Sequence, residues 1–274
     1  LGTLASIPGQ TMGVSVFTDA LLEATGLSRL EVSNAYLAGT LMSGLSLPWA
    51  GTWVDRLGAR RAALLAAAGL AAVLVFMSGV DRVAEALGDA AGVHLALLVL
   101  GFFVLRFTGQ GVLTMVSRTM LGRWFERRRG LAAGISGVAV GFGFGAAPRI
   151  LEAWIGAAGW RGAWQQMALV VGLGMGLVIL AFFRNDPESC GLRMDGQPPE
   201  PSRAPDPELG YSRRDALLTL AFWSVTSALA SHALLVTGIT FHIVDLGASA
   251  GLDRAAAVEV FLPMAVVSTA TGLI

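Results

Sequence analysis

Long apolar stretches separated by short polar breaks run through the whole chain. A helix crossing about 30 Å of hydrocarbon needs roughly 20 mostly apolar residues. At that length the pattern predicts eight helical spans, at about residues 1–24, 31–54, 60–81, 91–120, 128–153, 161–183, 214–246 and 254–274. The first lacks the basic start of a cleavable signal peptide and keeps polar residues through its middle. The spacing Ser28 to Glu31 before span 2, and Ser212 to Asp215 before span 7, predicts capping boxes at those helix starts. The longest break, 184–213, holds six of the ten prolines and almost no large apolar side chain, which predicts a flexible linker. The expected organisation is a six-helix half at 1–183, the linker at 184–213, and the first two helices of a second half at 214–274. The sequence begins without Met and stops inside the apolar run Phe261 to Ile274, so a fragment lacking its C-terminal helices is expected.

Composition supports this reading. Of 274 residues, 54% are hydrophobic and only 14% charged, with a mean hydropathy of +0.66, whereas a soluble domain carries about a quarter charged residues. The 19 acids balance 19 bases, so no basic field exists to collect nucleic acid. Three scattered His and the single Cys190 supply no metal cluster and no nucleophile–base pair. The glycine-rich run Gly141 to Gly145 follows no strand and has Pro148 where a dinucleotide loop needs its last Gly. An enzyme is therefore not expected, nor a cofactor or metal.

All 19 bases are Arg, and their distribution orients the spans. Thirteen fall in loops 2–3, 4–5 and 6–7, five on the opposite side, and Arg106 lies within span 4. By the positive-inside rule these three loops and the N-terminus face the cytoplasm, and the inner (cytoplasmic) membrane is the expected location. Trp49, Trp53, Trp124 and Trp223 fall near the inner border, and Trp154, Trp160 and Trp164 near the outer one.

Loop 2–3 reads Gly51-Thr-Trp-Val-Asp55-Arg56-Leu-Gly58-Ala-Arg60-Arg61. Gly51 and Gly58 suit a close backbone approach, Asp55 can accept from a helix N-terminus, and the Arg residues can anchor to lipid phosphates. In span 4, Arg106 within the membrane costs roughly 2.5–3.5 kcal/mol, so it must face a partner or a watery cavity. An α-helical wheel puts Arg106, Gln110, Leu113 and Ser117 on one face, where a cation beside an amide suits a carboxylate. The alternative is an Arg satisfied by carbonyls or an acid of a neighbouring helix. Span 5 carries a stripe of Gly130, Gly134, Gly137, Gly141 and Gly145 that suits close helix packing. Further polar candidates are Gln10 with Ser6 in span 1, Asn34 and Tyr36 in span 2, and Ser224, Ser231 and His242 on one face of span 7. Each competes with the plainer role of bonding its own backbone. Asp19 and Glu259 read as solvated helix ends.

The pattern G-x-x-x-D-R-x-G-x-R-R resembles the loop 2–3 signature of the major facilitator superfamily, and the helix count, linker and orientation match that family. The resemblance implies an all-α polytopic membrane protein of the major facilitator fold, moving solutes by alternating access. It assigns Gly51, Asp55, Arg56, Gly58 and Arg60 to a conformational latch on the inner side, and spans 1, 4 and 7 to the central cavity. The span 1 stretch Gly9 to Phe17, Arg106 and its R-x-x-G-x-G continuation, and Asp186-Pro187-Glu188-Ser189-Cys190-Gly191-Leu192 look like the oxalate/formate antiporter and monocarboxylate transporter branch. The expected partners are then a small organic anion and protons, with Arg106, Gln110, Gln10, Ser231 and His242 as substrate or coupling residues. Proton-coupled drug export, uptake of a neutral nutrient, and a non-transporting sensor of the same fold stay open as alternatives.

Overall fold

The computed structural model describes residues 1–88, 90–196 and 213–272, and among them it contains helices and no strand. Span 1 is broken. Helix α1 (Gly2–Ala5) gives way to a 3₁₀ turn at Ile7–Gly9, and Gln10 is extended (φ −88°, ψ 159°) before α2 (Thr11–Ser15) and α3 (Thr18–Thr25). Pro8 has no N–H to donate to a continuing helix, so the break sits at Pro8-Gly9. Span 2 is one helix, α4 (Arg29–Leu57), and its capping box is formed: the Ser28 hydroxyl accepts from the Glu31 N–H, and the Glu31 carboxylate accepts from the Ser28 N–H at 2.8 Å. The second expected box involves Ser212, which lies outside the described residues, as do 197–212 of the expected linker.

Helices α5 (Ala59–Met77) and α6 (Val80–Ala86) follow, then α7 (Ala91–Leu105), a π-helical segment at Arg106–Leu113, and α8 (Thr114–Trp124). The stretch α9 (Arg129–Leu169), a second π segment at Val170–Met175 and α10 (Gly176–Phe182) run on for 54 residues. At 1.5 Å per residue that is far more than one bilayer thickness. Gly159, at φ 70° and ψ 166°, breaks it where the sequence predicts the gap between spans 5 and 6. After the 3₁₀ turns Glu188–Cys190 and Met194–Gly196 come α11 (Arg213–Leu217), α12 (Leu220–Phe241), α13 (Ile243–Ser249), α14 (Arg254–Glu259) and α15 (Phe261–Gly272). Thr219 caps α12, so span 7 starts later than the hydropathy implies.

Four described stretches are long and apolar enough to cross a bilayer: Ala59–Met77, Ala91–Trp124, Arg129–Phe182 and Leu220–Phe241. Leu37, Leu41, Leu45, Leu65, Leu131 and Ile135 point outward, an apolar skin that only lipid or further helices can cover. The chain is a multi-pass membrane protein. Its core packs α4 against α7, α5 against α9, α12 against α2, and α15 along α9. Trp164, expected at a membrane border, is fully buried with its ring 4.5 Å from Phe17. In the span 5 stripe, Gly130, Gly134 and Gly137 face open space; Gly141 and Gly145 line a cavity.

Asp81, at the start of α6, takes both Nη groups of Arg161 while Arg161 also donates to the Ser78 carbonyl and lies 4.3 Å over the Trp160 ring. The Arg161 guanidinium holds the Asp81 carboxyl below the usual carboxylate range. A depressed folded-state value contributes stability above the unfolded value of about 3.9, and the contribution is lost as pH falls through the folded value. Asp81→Asn is expected to cost about 1–3 kcal/mol at pH 7. The difference from the parent should start to shrink as pH falls below about 3.9 and vanish only below the lowered folded-state value. Thermal unfolding in detergent across that pH range checks both.

Candidate functional site

The crossing of spans 1 and 4 is set by two glycines. A side-chain carbon on Gly9 would meet the Leu105 carbonyl at 2.4 Å and Gly109 Cα at 2.8 Å, and one on Gly109 would meet Gly9 Cα at 2.9 Å. This contact brings the broken backbone of span 1 onto the π-helical part of span 4. Arg106 opens that part and is 5% exposed. Its Nη1 donates to the Gly9 carbonyl at 3.4 Å and to the Thr11 hydroxyl at 3.3 Å, both long bonds. The guanidinium carbon lies 5.3 Å from the centre of the Tyr36 ring, and the Tyr36 hydroxyl donates to Thr11 at 3.0 Å. Among the described residues no Asp or Glu pairs with Arg106. A buried cation is therefore held by two long bonds and a ring face, with its charge not neutralised by any described acid.

Tyr36 carries the site toward span 7. Its ring stacks on Phe241 at 4.6 Å and meets Phe102 edge-on at 5.4 Å. Beside this stack, a cavity of about 170 Å³ lies between spans 1, 5, 7 and 8, with Met12, Gly145, Thr240, Phe261 and Met264 in its walls. Gln10 lies between Gly9 and Thr11, the two residues of span 1 that Arg106 reaches. Its amide donates to Ser6 at 2.9 Å and reaches Thr114 at 3.5 Å, while Thr114 donates to Ser6 at 3.1 Å. Spans 1 and 4 thus share a polar cluster next to Arg106.

The structure does not gather all the expected residues here. Gln110 lies in the π-helical segment Arg106–Leu113 and is exposed, whereas Arg106 is buried. Ser231 is exposed on α12. His242 lies past the helix end, with its Nδ1 3.7 Å from Asp245 and its ring edge-on to Phe241. Thr11, Thr240 and Phe241 occupy positions the sequence reading left unassigned.

Loop 2–3 lies at the other end of the bundle. Asp55 pairs with Arg123 at the end of α8 at 3.3 Å. Gly58 adopts φ 81° and has the Asn185 amide 2.7–2.8 Å from where a Cβ would sit, so it meets both needs of the turn. The Asn185 side-chain Oδ1 accepts from the Arg60 N–H at 3.1 Å, and the Arg60 guanidinium donates to the Leu180 backbone carbonyl at 2.6 Å. Arg56 is exposed, and Gly51 faces open space, so the close approach expected there is absent. Further along, the Asp195 carboxylate accepts from the N–H groups of Glu126, Arg127 and Arg128 at 2.9–3.3 Å, which holds its carboxyl below the ordinary range. The first part of the expected linker is thereby tied to loops 2–3 and 4–5.

The sequence model of the major facilitator superfamily matches residues 1–274. The chain belongs to that superfamily. In a comparison with curated proteins it is similar to the oxalate:formate antiporter of Oxalobacter formigenes, 25% identical over 255 residues, covering 91% of this chain and 55% of the relative. The chain spans about half the length of the curated relative it matches.

Proposed function

We propose that this superfamily member is part of a secondary active transporter for a small organic anion, a mono- or dicarboxylate, in the inner membrane. Its Asp55 end faces the cytoplasm, as the Arg distribution indicates. Residues 1–183 act as one six-helix half and 214–274 as the beginning of the other, joined by 184–213, and transport proceeds by rocking around a site near the midplane. The observation that carries this reading is Arg106, a buried guanidinium at the span 1–span 4 crossing with no described acid to pair with it. A substrate carboxylate supplies the missing counter-charge through a two-point, charge-assisted contact. Thr11 and Tyr36, already within reach of Arg106, orient it, and Gln10 holds span 1 against Thr114. The name of the antiporter relative points the same way. Binding, orientation and a conformational change suffice; no covalent step is involved, so the activity is that of a carrier and not an enzyme.

The test uses the full-length protein in proteoliposomes loaded with unlabelled oxalate, formate, lactate or pyruvate, following counterflow of the labelled acid. Saturable counterflow is expected, with competition by the acids and none by their neutral amides. Equal competition by the amides, or no counterflow with any acid from folded protein, contradicts the proposal.

A further inference from the structure

At the Asp19 end, charged groups from five separate elements converge. Arg254, the first residue of α14, donates from Nε to Glu152 in α9 at 2.7 Å, from Nη1 to Asp19 in α3, and from Nη2 to the Val16 carbonyl. Arg29, the first residue of α4, donates to the other Asp19 oxygen at 2.9 Å and to Asp245 in α13 at 2.9 Å. Asp19 is therefore shared by two guanidinium groups, one of which comes from span 8. Every pair here links or borders the junction between spans 1, 2 and 5 on one side and spans 7 and 8 on the other. The Asp55–Arg123 pair at the opposite end joins only spans 2 and 4.

We infer that this clasp, pinned by Arg254 and Arg29 on Asp19, Glu152 and Asp245, is the outer gate of the carrier and the polar contact that must part before solute reaches Arg106 from outside. The strength of the pairs suits the task. Each is partly exposed, and ion pairs of that kind contribute little net stability singly, so they can separate and re-form without unfolding the bundle. Their directional geometry still defines one closed register. Behind them the Tyr36–Phe241 stack spans the same junction and forms an apolar layer between the clasp and Arg106. The inference rests on the transporter reading but not on the identity of the substrate.

The test places one cysteine at Thr240, a buried cavity-wall position, in the full-length protein freed of other cysteines. Labelling by a membrane-impermeant maleimide is followed in right-side-out vesicles. Arg254→Ala is expected to raise the labelling rate about tenfold, the change that follows from losing about 1.4 kcal/mol of preference for the closed state. Arg254→Lys, which keeps a cation beside Asp19 and Glu152, should bring the rate back toward the parent. An unchanged rate in Arg254→Ala, or a raised rate that Arg254→Lys does not lower, overturns the gate. Should Arg254→Ala not reach the membrane, Asp19→Asn combined with Glu152→Gln is read in the same way. Labelling needs no substrate, so a failed gate and a failed anion assignment give separate results.

Discussion

Gly109→Val is expected to prevent the bundle from assembling. The backbones of spans 1 and 4 touch at Gly9 and Gly109, and the atoms an added side chain would strike are Gly9 N and Cα and the Ser6 carbonyl. A flexible side chain could turn aside; main chain held between packed helices cannot. Helices in lipid associate through this kind of close packing, because lipid is as apolar as the side chains it competes with. Overpacking a fitted core costs roughly 1–3 kcal/mol, and a branched side chain against backbone belongs at or above the top of that range. The measurement is the monodisperse fraction after detergent extraction, expected to fall sharply. Gly134→Ala is the control: it faces open space, and replacing Gly by Ala in a helix is expected to be neutral or stabilising by up to about 1 kcal/mol.

The second large effect is on transport. Arg106→Ala is expected to reduce anion exchange at least about 100-fold while leaving a folded protein, since losing one partner of a buried charge pair costs about 3–5 kcal/mol. Folding should survive because the bonds Arg106 makes to Gly9 and Thr11 are long, and removing an intramembrane charge relieves an insertion cost. Arg106→Lys should keep a fraction of the activity, as charge persists but planar two-point donation does not. Exchange assays on both variants, beside a chromatographic check of folding, measure the difference.

The apolar runs of spans 3 to 7 were legible because a run of 20 apolar residues dominates any local preference, and Gly159 breaks the longest helix inside a gap the hydropathy already marked. The division of span 1 also had a visible sign, the Pro8-Gly9 pair. The π-helical turn had none. A wheel drawn at α-helical spacing puts Gln110 and Arg106 on one face, and the two differ in burial, Arg106 being buried and Gln110 exposed. Arg106 itself was conspicuous as a charge in an apolar run, whereas Thr11 and Phe241 become part of the site only through contacts across helices. Asp19 reads as a solvated helix end from its own neighbourhood, and its partner Arg254 is 235 residues away. Local sequence carries no record of such a pairing.

That Arg106 holds the substrate carboxylate is tested most directly by equilibrium binding of labelled oxalate, formate and lactate to the purified full-length protein and to Arg106→Ala. Binding of at least one of these acids should be saturable in the parent and lost in the variant. Undiminished binding to Arg106→Ala would contradict the assignment and leave Arg106 as a structural cation between spans 1, 2 and 4.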